Sequence, residues 1–212
     1  MKKLLSLIAL GLMFGLCMYA QVPKADLFVG YSLVRYNSAQ AVPAFTANGG
    51  HGAFTWNFGP MFGFEAEIGG HHNGNINNNE LDTTTWSYLF GPRVSFKRGK
   101  TVVPYMHALF GGEDLSTSIC CLVPTTGTGT SGTGTRVSHD QNHFAMAIGG
   151  GLDIKMGKHL MIRPIQLDYY LTRYEAQQFE PNLVPPLSGP SSNRNQNNLR
   201  YGAGIVFNFG GS

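Results

Sequence analysis

Ser138, His139, Asp140 and His143 place a hydroxyl, two imidazoles and a carboxylate within six positions. Acyl transfer or hydrolysis would need those types: a nucleophile, a base to take its proton, and an acid to orient the base. Their spacing argues against that chemistry. Neighbours on an extended segment point to opposite sides, so residues this close in sequence do not converge on one substrate. No catalytic residue is assigned. Metal ligation is the next candidate, through His71 and His72 together with His139 and His143, which would share the long-loop side. A four-residue spacing converges on a helix but not across a loop and a strand, so solvated or interior hydrogen-bonded imidazoles are expected, and no metal site. His51 and His107 are expected to join a polar network. The tract TTGTGTSGTGT (Thr125 to Thr135) is rich in glycine but lacks the Lys-Ser/Thr ending that a phosphate cradle needs, so no cofactor is expected. Cys120 and Cys121 have α-carbons about 3.8 Å apart, too close for an unstrained disulfide. No thiol-activating context is visible, and both are expected in a loop without a catalytic role.

The elements that would position these residues are strands. In NHFAMAIGGGLDIKM (Asn142 to Met156), Phe144, Met146, Ile148, Leu152, Ile154 and Met156 alternate with His143, Ala145, Ala147, Asp153 and Lys155. Side chains of a strand alternate between faces, so this is a strand with one greasy and one small or polar side. Phe54, Trp56 and Phe58 alternate in the same way with Ala53, Thr55 and Asn57; Phe62, Phe64, Ala66 and Ile68 with Gly63, Glu65, Glu67 and Gly69; and Tyr201, Ala203, Ile205, Phe207 and Phe209 with Arg200, Gly202, Gly204, Val206 and Asn208. Ala25 to Tyr36, Thr83 to Phe96, Thr101 to Gly112 and His159 to Arg173 fit less cleanly, with Pro104 and Pro164 interrupting their ladders. The pattern predicts eight strands and no amphipathic helix. Connections alternate in length: 37–48, 71–82, 113–141 and 174–198 are long, whereas 59–61, 97–100 and 157–158 are short. Adjacent antiparallel strands put alternate connections at opposite ends, so the long loops share one end, as in bacterial outer-membrane barrels.

Targeting and composition agree with that placement. Lys2 and Lys3 precede the apolar run Leu4 to Tyr19, which ends at Ala20, the order of a secretory signal. Residues 1–20 are expected to be a cleaved signal peptide and 21–212 one barrel domain. Subtracting Lys2 and Lys3 from 15 basic residues leaves 13 against 12 acidic, a net of +1, so no nucleic-acid partner is implied. Charged residues are 13% of the chain, against about 25% in typical soluble proteins. If the aromatic face were a soluble core, the solvent face would be Ala, Gly, Thr and Asn, with little charge to keep it soluble. Turned outward, the aromatic face meets lipid, and closure satisfies every backbone group within the bilayer.

That orientation predicts an interior polar network. Glu65, Glu67, Arg93, Asp153, Lys155 and Arg163 would lie at similar depth, three acids facing three bases, as an ionic plug in a lumen barely wide enough for side chains. Arg163 joins only if a bulge near Pro164 shifts the phase, since strict alternation with Leu167 and Leu171 aims it at lipid. Trp56, Phe58, Phe62, Phe96, Phe207 and Phe209 gather near the short turns, as an interfacial girdle would.

With the signal, the opening strand DLFVGYSLVRY, the strand YLFGPRVSF and the ending RYGAGIVFNFG, the chain resembles the small outer-membrane β-barrel family, the porin-like or OmpA-type eight-stranded transmembrane domain. The resemblance implies an all-β, eight-stranded antiparallel up-and-down barrel in the outer membrane of a Gram-negative-type bacterium. It also implies that Gly204, Phe207 and Phe209 in the last strand are read by the barrel-insertion machinery. Gly202, where a polar residue is usual, and Gly210, Gly211 and Ser212 after the final aromatic depart from that pattern. The expected partners are outer-membrane lipids, the insertion machinery and an extracellular ligand or surface met by the long loops; a narrow channel or a lipid-modifying enzyme are the alternatives.

Overall fold

A computed structural model describes residues 24–37, 44–76, 81–96, 101–122, 135–173 and 195–210; at 75, 76, 81, 117–122 and 135–141 it describes the backbone. The strands are β1 (Ala25–Tyr36), β2 (Phe45–Asn57), β3 (Phe62–Ile76), β4 (Leu81–Ser95), β5 (Val102–Leu122), β6 (Thr135–Lys155), β7 (Leu160–Arg173) and β8 (Asn195–Phe209). Each pairs antiparallel with its sequence neighbour, and β8 closes on β1 from Ala25↔Phe209 to Arg35↔Leu199. A ladder row followed from Val34 through Arg200, Asp168, Gly149, His107, Arg93, Gly63 and Asn57 returns to β1 at Lys24, ten positions from its start. That stagger requires strands tilted by roughly 35–45°. Among the described residues no helix is long and apolar enough to cross a membrane.

The faces divide as alternation requires. Val29, Phe54, Trp56, Ile68, Trp86, Met106, Phe144 and Phe209 are exposed on the outside. This apolar band ends on each strand at an outward polar residue, namely Arg35, Asn48, His72, Thr84, Asp114, Asn142, Arg173 and Asn197. Outward tyrosines mark the same level: Tyr31 donates to Asn48 (2.7 Å), Tyr88 to Asn142 (3.1 Å) and Tyr169 to Asn197 (2.6 Å). From there to the short turns the strands supply 10 to 14 residues, enough for the roughly 9–11 that a transmembrane strand needs.

Above the band the ladders continue where alternation predicted loops. β5 and β6 are 21 residues each and stay paired from Glu113↔His143 to Leu122↔Thr135. The loop expected at 113–141 is therefore mostly a hairpin, and Cys120 and Cys121 belong to β5. β3 and β4 pair likewise up to Ile76↔Leu81, and β8 begins at Asn195 rather than after 198. Both faces of a strand beyond the bilayer meet water, so the two-residue hydrophobic period disappears while backbone pairing persists. Pro104 sits outward opposite Leu152 with the register intact. At Pro164 the register shifts on both sides, between Leu152 and Ile154 of β6 and between Arg163 and Gln166 against β8.

Candidate functional site: a lumen filled by ion pairs

The inward face carries the chemistry. Glu65 and Glu67 lie two apart on β3, and each points inward because Phe64, Ala66 and Ile68 take the lipid side. Arg93 on β4 donates from Nη1 to Glu65 Oε2 at 2.8 Å and from Nη2 to Asp153 Oδ2 at 2.7 Å. Arg163 Nε donates to Asp153 Oδ1 at 2.8 Å. Its inward direction follows from the irregularity at Pro164: the extra residue lets Arg163 and Gln166 both face the lumen, each fully buried, although their spacing is odd.

Arg200, which alternation alone does not assign to the plug, and His107, expected in the polar network, complete it. Arg200 pairs with Glu67 through Nη1, and its Nη2 donates to Asp168 Oδ2 at 2.7 Å. His107 holds Glu65 Oε1 with Nδ1 and Asp168 Oδ1 with Nε2, both at 2.8 Å. A carboxylate only accepts, so both contacts are hydrogen bonds when both ring nitrogens carry hydrogens. Gln166 links the two halves, donating to Asp168 (2.8 Å) and accepting from Tyr105 (2.8 Å) and Arg163 (2.9 Å). The guanidiniums also lie on rings: Arg93 is 3.9 Å from the Tyr105 centroid, and Arg163 is 4.2 Å and 4.3 Å from those of Phe28 and Tyr105.

Small residues make room for these side chains. A Cβ at Gly149, opposite both His107 and Asp168, would stand 2.6 Å from Asp168 Cα. On the long-loop side, Val34, Ala47, Leu89, Leu109, Ala145, Ala147 and Tyr170 form an apolar layer; beneath Arg163, Phe28, Ala53, Met161 and Val206 form a smaller one. Glu113 lies above, held by the Tyr36 hydroxyl (3.2 Å) and the Tyr170 hydroxyl.

Lys155 departs from the expectation. It is exposed at the last position of β6, away from Glu65, Glu67 and Asp153, because alternation gives its side but the strand ends there and leaves the ammonium at the mouth. Arg200 supplies the third base instead.

The other candidates separate. His71 is buried and 2.6 Å from Ser32 Oγ, while His72 faces outward near Thr84 (3.0 Å) and Asp82 (3.5 Å). His51 lies inside, 3.8 Å from Glu67. His143 is buried in the lumen, and the side chains of Ser138, His139 and Asp140 lie outside those described. Among the described residues no group of three or more His, Cys, Asp or Glu is arranged to hold a metal ion. Phe207 and Phe209 face outward on β8. Gly204 stands opposite Gly30 and Arg163, where a Cβ would meet the Phe28 ring at 2.9 Å.

A closed eight-stranded barrel with an apolar outside and a charged, filled inside is a transmembrane β-barrel of the outer-membrane kind. The chain belongs to the family described as the outer membrane protein beta-barrel domain, which it matches over residues 6–207, and it resides in the bacterial outer membrane. No curated protein matches it. Among solved structures, Neisserial surface protein A is 10% identical, with 88% of this chain and 97% of that one covered at a TM-score of 0.55. Ail, the attachment invasion locus protein of Yersinia pestis, is 14% identical over 88% and 99% of the two chains at 0.52. A second Ail structure, 15% identical over 88% and 99% at 0.51, is of its complex with the heparin analogue sucrose octasulfate. At these identities the likeness is one of fold.

Proposed function

We propose that the barrel is an anchor for a surface-interaction device and that it carries out no catalysis. The observation behind this reading is the β5–β6 hairpin, whose paired strands run on beyond Asp114 and Asn142 where the apolar band ends. Anchoring the barrel does not require that length, which places backbone and loop where another surface can meet them. The likeness to Ail, solved with a heparin analogue, makes a sulfated polysaccharide the first ligand to try. In the same reading the ion pairs seal and brace the lumen, a signal at residues 1–20, outside those described, directs export, and Gly204, Phe207 and Phe209 present the last strand to the insertion machinery.

The test replaces residues 116–140 by Asn-Gly, which joins the Leu115↔Gln141 pair through a tight hairpin turn. Cells carrying this variant are expected to lose adhesion to a heparin-coated surface, while the barrel keeps its heat-dependent mobility in SDS gels. Adhesion that persists with the hairpin removed would overturn the reading. A narrow channel finds less support, because the guanidiniums and carboxylates that would line it are bonded to each other.

A further inference from the structure

Among the described side chains, charge is unevenly divided between the two ends of the barrel. At the short-turn end Lys24 precedes β1, Lys155 closes β6 and Lys158 lies in the turn to β7, all exposed. Among the described side chains, the acids that reach solvent are Asp82 and Asp114, both at the long-loop end. Asp26, two positions from Lys24, is buried and accepts from Asn57 (3.0 Å) and Asn208 (2.6 Å).

The three lysines share one arc of the rim. Lys155 N donates to Thr101 O of the neighbouring strand connection (2.8 Å), His159 beside Lys158 accepts from Asn208 N (2.9 Å), and the Lys24 stem packs beside Gly210. Their depth is fixed by their neighbours. Met156 and Phe209, 63% and 51% exposed, belong to the lipid-facing belt; Met156 follows Lys155, and Phe209 pairs with Ala25 beside Lys24. The turn carrying Lys158 is tight, with Met156 N and Gly157 N donating to Leu160 O at 3.0 Å and 3.2 Å. An ammonium on so short a turn cannot leave the belt; it lies at the depth of lipid headgroups.

We propose that this arc binds the anionic phospholipid headgroups of the inner leaflet and holds the short-turn end at a set depth. Three point charges above an apolar belt suit a fluid layer of phosphates. A peptide or polymer partner would call for a groove or forked hydrogen-bond donors, which these lysines do not supply.

The test uses the full barrel in phosphatidylcholine vesicles containing a trace of spin-labelled phosphatidylglycerol or phosphatidylcholine. The wild type is expected to prefer the anionic label roughly fivefold at low ionic strength, the effect of about one near-surface lysine, with partial loss at high salt. Lys24→Gln/Lys155→Gln/Lys158→Gln should abolish the preference, and Arg35→Gln/Arg173→Gln, at the other end, should keep it. Heat-dependent gel mobility verifies folding; if the triple variant does not fold, Lys155→Gln and Lys158→Gln singly should each lower the preference. Equal association of the two labels, a preference that survives the lysine substitutions, or lysine-dependent pelleting with purified peptidoglycan in place of lipid selectivity would each overturn the proposal.

Discussion

Arg93 and Arg200 each hold two carboxylates, so truncating either takes a charged partner from two buried anions at once. Arg93→Ala should destabilise the folded barrel by about 3–5 kcal/mol, read as a lower urea midpoint in detergent. Arg93→Lys should recover only part of that, because one ammonium cannot reach Glu65 and Asp153 together as the two ends of the fork do. Lys155→Gln should leave the midpoint within about 0.5 kcal/mol, as for an exposed side chain. These contrasts also mark what the sequence could say. Glu65, Glu67, Arg93 and Asp153 were legible as inward because apolar neighbours claim the other face. Alternation gives a side but no depth, so Lys155 looked like part of the plug. Arg200 was legible as inward, yet its meeting with Glu67 and Asp168 depends on the ten-residue stagger of the ladders, which no local pattern states.

At the scale of elements, the irregularity of β7 matters most. Pro164 and Ile165 occupy the space between Arg163 and Gln166, so one extra residue reconciles a lumen-facing arginine below with lumen-facing Gln166, Asp168 and Tyr170 above. Deleting Ile165 should leave Arg163 and Gln166 two apart and both inward by plain alternation, so the heat-sensitive folded form should persist in SDS gels, and its loss would show that the irregularity itself is required. The lower halves of the strands were readable from their period of two; the upper halves were not, since water on both faces removes the period and leaves the hydrogen bonds. For β8, Phe209→Ala is the cleaner test of the insertion reading, because Gly204→Ala would press on Phe28. The expected outcome is less folded protein in the outer membrane of cells, with the urea midpoint of the purified, refolded variant little changed.

At the scale of the whole molecule, seven of the eight strand pairings join neighbours in sequence, and the eighth joins Ala25 to Phe209. Loop-closure entropy grows with the length spanned, so this seam is the slow contact and the local hairpins are quick ones. The barrel thus has no stable half-built form. Until β8 arrives, β1 and β7 both present open edges that bilayer hydrocarbon cannot satisfy. A chain lacking residues 195–212 should accordingly yield no protease-resistant fragment in lipid vesicles, whereas the intact chain should yield one. The order of synthesis then has a meaning of its own. The first strand waits for the last, and a ribosome that stops early leaves a length of sticky ribbon that the cell must destroy.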